Sequence, residues 1–178
     1  MIDRKLKVKI CMVGDSAVGK TSLIKKFVLD IFDDTYITTI GTKITKRTIK
    51  IMDEETTMDM MIWDIMGQTS FRTLLQDAYF YGTHGVLAVV DSTRPETLEN
   101  IHEWIDSMRH VVGDVPMVFV SNKCDLEHKL TDAMLKKELG KYNSKSMFVS
   151  AKTGENVSDA FKTLGEAIID KYFPEMKA

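Results

Sequence analysis

Residues Gly14 to Thr21 read GDSAVGKT and fit the pattern G-x-x-x-x-G-K-[ST], a loop whose backbone wraps phosphate groups. It follows an apolar run, Ile10 to Val13, and opens into a helical pattern with Leu23, Ile24, Phe27 and Val28 on one face. A strand thus delivers the chain to a turn. Gly14 and Gly19 let the backbone bend and approach closely, and successive N–H groups converge at a helix N-terminus, where the macrodipole favours anions. Asp15, Ser16, Ala17, Val18, Gly19, Lys20, Thr21 and Ser22 are the expected phosphate-site residues. The alternative, a flexible glycine-containing loop ahead of an ordinary helix, is weakened by correct flanks on both sides.

The chain has 178 residues, 44% apolar and 28% charged, with a formal charge of −2. This is ordinary globular composition, enough for one domain with a proper core, and a single domain over residues 1–178 is expected. No basic face dominates, so nucleic acid is not an expected partner. Two cysteines, Cys11 and Cys124, are too few for a secreted disulfide scaffold, and no run reaches the length of a signal peptide core or a membrane span. The expectation is a soluble, cytoplasmic protein. Of twelve methionines, Met58, Met60 and Met61 fall in one strand-like run and read as core filling.

Beyond the first strand and helix, an alternating run from Lys43 to Met52 and a more apolar one from Met58 to Trp63 predict an antiparallel hairpin turning at Asp53-Glu-Glu. Gly85 to Val90, Pro116 to Val120 and Met147 to Val149 predict buried parallel strands. Thr93-x-x-Glu96 reads as a capping box opening a helix with Leu98, Ile101, Ile105 and Met108 inward. A second helix over Thr131 to Tyr142 would bury Met134, Leu135 and Leu139, and a last one Val157, Phe161, Leu164, Ile168 and Tyr172. Alternating strands and helices make a three-layer α/β domain with ligand loops at the carboxyl ends of the strands.

Two further motifs fall at such ends. Asp64-Ile-Met-Gly67-Gln68 begins where the strand ending in Trp63 stops. An Asp there can hold a magnesium-bound water, and Gly67 can offer its N–H to a γ-phosphate because no Cβ blocks the approach. Asn122-Lys123-Cys124-Asp125 ends another buried strand. The Asp carboxylate can accept two N–H groups from the edge of guanine, where adenine offers an unmatched pattern. Ser150-Ala151-Lys152 follows the last strand and suits a backbone N–H meeting the base oxygen. Alone, the first of these motifs is a plain turn more often than not, and the alternative for the second is a helix-capping turn.

The order GDSAVGKT, Thr39, DIMGQ, NKCD, SAK resembles the Ras superfamily of small GTPases over nearly the whole chain. Trp63 before the Asp, Gln68 followed by Phe71-Arg72, the segment Tyr36 to Gly41, and Tyr79-Phe80 are similar to its Rab branch. The resemblance implies a P-loop G domain with a mixed six-stranded sheet, five parallel strands and one antiparallel edge strand, with helices on both faces. It implies GTP or GDP bound with Mg2+. Lys20 would reach the β- and γ-phosphates, Thr21, Thr39 and Asp64 would serve the metal, and Gln68 would orient the attacking water. Phe32 and Tyr36 would lie beside the nucleotide, Asn122, Lys123, Asp125 and Leu126 at the base, and Ser150, Ala151 and Lys152 around it.

On this reading two loops, roughly Asp30 to Thr42 and Ile65 to Gly82, close only on a triphosphate, and partners touching them sense the nucleotide state. No Arg lies between Asp30 and Lys43, so turnover alone is expected to be slow and to depend on an activating protein. An exchange factor, effectors and a monomeric state are expected as well. Met66 stands where the family has a small alanine, and it motivates an alternative: a GTP- or GDP-holding module with little hydrolysis. A P-loop kinase or ATPase is a third reading, against which the guanine motif argues. With Ile44 in place of an aromatic, the exposed patch read by Rab partners would keep Trp63 and Tyr79 only. No cysteine follows Tyr172, so membrane attachment is expected only if a lipidated tail lies outside these residues, the alternative being a member that never attaches by lipid. His84, His102, His110 and His128 lack ligand spacing, and no His catalysis is expected.

Overall fold

The computed structural model describes residues 4–33, 41–52, 56–65 and 76–177. The strands are β1 (Arg4–Val13), β2 (Thr42–Ile51), β3 (Thr56–Ile65), β4 (Gly85–Asp91), β5 (Met117–Asn122) and β6 (Lys145–Phe148). The principal helices are α1 (Lys20–Leu29), α2 (Glu96–Val112), α3 (Asp132–Leu139) and α4 (Val157–Tyr172). One sheet runs β2-β3-β1-β4-β5-β6. Every neighbouring pair is parallel except β2 with β3, so the single antiparallel strand lies at the edge, as expected.

Alternation in the buried strands separates two apolar layers. Leu87, Val89, Val118 and Val120 pack on one side with Leu23, Phe27, Phe161, Leu164 and Ile168 from α1 and α4. Val86, Ala88, Val90 and Phe119 face the other side with Leu98, Ile101, Ile105, Leu135 and Leu139 from α2 and α3. Consecutive side chains of a strand point to opposite faces, so a sheet clothed on both sides reads as an unbroken apolar run. The rings of Phe27 and Phe161 stack at 4.0 Å and weld α1 to α4. Met58 and Met60 fill the same layer, whereas Met61 is half-buried.

Five features differ from what the sequence predicts. β1 begins well before Ile10, because its lysine-rich start pairs with β3 from Arg4 opposite Thr56 onward. β6 is a short edge strand, half-exposed, and the buried Val149 follows it. The capping box at Thr93 does not form. Thr93 gives its hydroxyl to Asp91 Oδ1 at 2.7 Å, and α2 starts after Pro95 with no side-chain cap. Met134 and Tyr172 are exposed, at 37% and 38%, because each lies on the outer flank of its helix. Trp104 joins the inward side of α2 and is only 1% exposed.

Candidate nucleotide-binding site

The loop between β1 and α1 has the shape that its glycines permit. Gly14 has φ 140°, and a Cβ there would sit 2.2 Å from the Val89 carbonyl oxygen. Gly19 has φ 103°, and its Cβ would strike Asn122 Nδ2 at 2.2 Å. No L side chain fits either position. Lys20, the first residue of α1, folds back over the loop and donates from Nζ to the carbonyls of Gly14 (2.6 Å) and Asp15 (2.8 Å). An ammonium has three donors, and these two anchors leave one for an incoming oxygen. Burial pushes the Lys20 pKa down to about 8 and Arg94 adds to this, while the carboxylates of Asp64 and Asp15 oppose it.

Thr21 lies one residue on, and its hydroxyl donates to Asp64 Oδ2. Asp64 comes from the end of β3, at the same sheet edge as the loop, and is 2% exposed. Its other oxygen, Oδ1, is buried without a hydrogen-bond partner among the described residues. Burial raises the Asp64 pKa, against the pull of the Thr21 hydroxyl, Lys20 and Lys43. A hydroxyl beside a carboxylate with an idle oxygen is a hard, oxygen-only donor set, and it fits a magnesium ion that keeps most of its remaining positions for water and phosphate. A cavity of about 70 Å³ opens on this flank, with Thr21, Lys25, Lys43 and Asp64 in its wall. Tyr36, Thr39, Met66, Gly67 and Gln68 lie outside the described residues.

The third motif is strapped to the first. Asn122 ends β5 and donates from Nδ2 to the Val18 carbonyl at 2.9 Å, while its Oδ1 accepts from the Ala151 N–H at 3.1 Å. Lys123 donates to the Ala17 carbonyl at 2.9 Å and to Asp91 Oδ2 at 2.5 Å. Both Ala17 (φ 61°) and Lys123 (φ 68°) hold left-handed backbone, a strained conformation for side chains with a Cβ. Asp125 Oδ1 accepts from the buried Ser150 hydroxyl at 2.6 Å, and Asp125 itself is exposed. Leu126 and Lys152 lie exposed beside this loop pair, and Ser22 is half-buried in α1. Phe32 is half-buried and packs against the layer between the sheet and α1 and α4.

Four residues absent from the sequence reading complete the frame. Asp91, at the end of β4, is 0% exposed and accepts from the Thr93 N–H, the Thr93 hydroxyl, Arg94 and Lys123. Burial alone would raise its pKa, but these donors hold it below the usual carboxylate range. Arg94 also reaches the Ser16 carbonyl at 2.8 Å. Asn100 and Trp104 of α2 donate to the Asp15 carboxylate at 2.7 and 3.0 Å. The signal for Asp91 was present, since it is an acidic residue closing an apolar strand, as Asp64 is.

The surface beside β3 differs from expectation. Tyr79 is buried, at 2% exposure, with its hydroxyl donating to the carbonyls of Trp63 (2.5 Å) and Met12 (3.1 Å). It ties β1 to β3 and does not contribute an exposed ring. Trp63 is half-buried and carries Lys9 Nζ 3.7 Å above its ring, a close cation–π pair. Ile44 is exposed, at 48%, opposite Trp63 in the hairpin register.

A family model described as Ras family matches residues 9–170. Among curated relatives, Ras-related protein Rab-8B of Homo sapiens is 37% identical over 169 residues, covering 92% of this chain and 79% of the relative. Ras-related protein Rab-8 of Diplobatis ommata is 36% identical over 174 residues, 94% of this chain and 80% of its own. Ras-related protein Rab-8A of Mus musculus is 37% identical over 166 residues, 90% and 77%. With a phosphate loop, a metal-fitting Thr–Asp pair and a base motif on one sheet edge, and with relatives that span most of its length, the chain belongs to the Ras family of small GTPases, in the Rab branch.

Proposed function

We propose that residues 1–178 form a single G domain that binds GTP or GDP with Mg2+, hydrolyses GTP slowly on its own, and signals its nucleotide state to partners in membrane traffic. The observation that carries this reading is the direct coupling of the phosphate loop to the base motif, through Asn122 to Val18 and Lys123 to Ala17. A ligand that spans both must carry a phosphate group at one end and a guanine-like edge at the other.

Each residue acts through its chemistry. The loop N–H groups and the one unspent proton of Lys20 bind phosphate oxygens. Thr21 and Asp64 would hold the metal, with Thr39 as a third oxygen; bound there, magnesium would neutralise charge developing between the β- and γ-phosphates. Asp125, oriented by Ser150, accepts the guanine N–H groups, and Asn122 holds Ala151 in place beside the base. Gly67 offers an N–H to the γ-phosphate and Gln68 orients the attacking water. Phe32, Tyr36, Leu126 and Lys152 flank the nucleotide. Partners are a GTPase-activating protein, an exchange factor and effectors that read the loops around Thr39 and Gln68. The protein acts as a monomer in the cytoplasm and associates with membranes peripherally.

Extraction of the nucleotide that co-purifies with the protein, followed over hours, tests the reading. GDP accumulating from GTP supports the switch. Persistent GTP would favour a module without hydrolysis, and adenine nucleotide would overturn the base assignment. Single-turnover phosphate release should be slow, and an arginine supplied by a partner should speed it by roughly a thousandfold or more.

A further inference from the structure

We propose that the Asp15 carboxylate, gripped by Trp104 and Asn100 of α2, is a positioning group that sets how fast guanine nucleotide leaves the phosphate loop. The inference rests on the nucleotide-binding reading above. Asp15 is an anion inside a loop built for anions, and its repulsion of a phosphate has to be contained. Both of its oxygens are spent away from the loop interior: Oδ1 on the indole N–H of Trp104 at 3.0 Å, Oδ2 on the amide of Asn100 at 2.7 Å. The two donors sit four residues apart on one helix, so they present a single face to the carboxylate. The main-chain carbonyl of the same residue is one of the two anchors of Lys20.

Side chain and carbonyl are therefore linked. While α2 holds the carboxylate, the Asp15 peptide keeps its orientation and Lys20 keeps its anchor. Once the grip is lost, the negative charge is free to swing towards the phosphates and the ammonium loses a fixed point. Trp104 also lies with its ring 5.9 Å from Lys20 Nζ, so the same indole senses both groups. Arg94 to the Ser16 carbonyl, at 2.8 Å, is a parallel link that keeps the loop assembled when the Asp15 grip is cut.

Release of a fluorescent GDP analogue from the whole chain, chased with excess GDP, tests this. Asn100→Ala is expected to speed release roughly threefold, because its bond is exposed, and Trp104→Phe about tenfold, because a part-buried charge-assisted bond is lost. In an Asp15→Ala background neither substitution should have a further effect. Asn100→Gln, which restores an amide donor, should return release towards the parent rate. In a Trp63→Phe background the remaining indole should change its emission on GDP binding, and Asp15→Ala should abolish that change. Should Trp104→Phe fail to fold, the surface residue Asn100 still decides. Parent-like release from Asn100→Ala, or acceleration undiminished by Asp15→Ala, overturns the proposal. Failure of the parent chain to bind the GDP analogue would instead sink the nucleotide reading itself.

Discussion

The Thr21 hydroxyl donates to one oxygen of Asp64 and leaves the other, Oδ1, buried without a partner among the described residues. An unpaired buried carboxylate oxygen is costly. On the proposed reading a cation would offset that cost, so the pair would trade stability of the empty protein for metal affinity. Asp64→Asn is expected to raise the melting temperature of the nucleotide-free protein while weakening its magnesium dependence roughly ten- to a hundredfold. Thr21→Asn should harm triphosphate binding more than diphosphate binding. Thermal melts and nucleotide titrations at varied magnesium concentration check both.

Lys20 carries a proton-linked prediction. Its folded-state pKa of about 8 lies below the ordinary lysine value of 10.5, so burial in the empty protein loosens its hold on the proton while the ammonium still predominates at neutral pH. For this group, folding stability rises as pH climbs from about 8 to about 10.5, because the unfolded chain then binds more protons. Phosphate binding reverses this loosening by supplying an anion. GDP binding near pH 8.5 should therefore take up a proton, and affinity should decline at higher pH. Calorimetry in buffers of different ionisation enthalpy measures the uptake; Lys20→Met should abolish it.

Asn122 holds two backbone groups at once, the Val18 carbonyl and the Ala151 N–H. Asn122→Ala leaves both unsatisfied and should cost about 3 kcal/mol of stability, with loss of nucleotide affinity. Gly19→Ala should resemble it, because the new methyl would collide with the same amide. Denaturant unfolding followed by nucleotide titration separates the two effects.

On the proposed reading, Asp125 governs the choice of base. Asp125→Asn should move preference from guanine towards xanthine nucleotides, because an amide can donate to the oxygen that xanthine presents where guanine has an amino group. Competition between GTP and XTP measures the shift; unchanged GTP preference would count against the assignment.

What sequence alone revealed, and what it hid, follows from how far apart the interacting atoms lie along the chain. The glycines at 14 and 19, the hairpin, and the apolar runs of β4 and β5 act on their neighbours and could be read directly. The bonds that Asn122, Lys123, Asn100 and Trp104 make to the phosphate loop could not, because their partners there are 85 to 106 residues away. Some local signals also lost to competing partners. Thr93 had the spacing of a helix cap, but Asp91 is a buried anion that needs donors and takes its hydroxyl. Tyr79 looked like a surface aromatic until two backbone carbonyls of neighbouring strands claimed its hydroxyl.

The outer rim of β2 has a bearing on crowding. Lys43, Lys46, Arg47 and Lys50 are all exposed along this strand, whose outer side pairs with no other strand among the described residues. Such a flank invites another molecule to zip onto it, as strands do in fibres. Two identical rims would bring like charges close at several points, so stacking of copies is discouraged most in dilute electrolyte and least in brine.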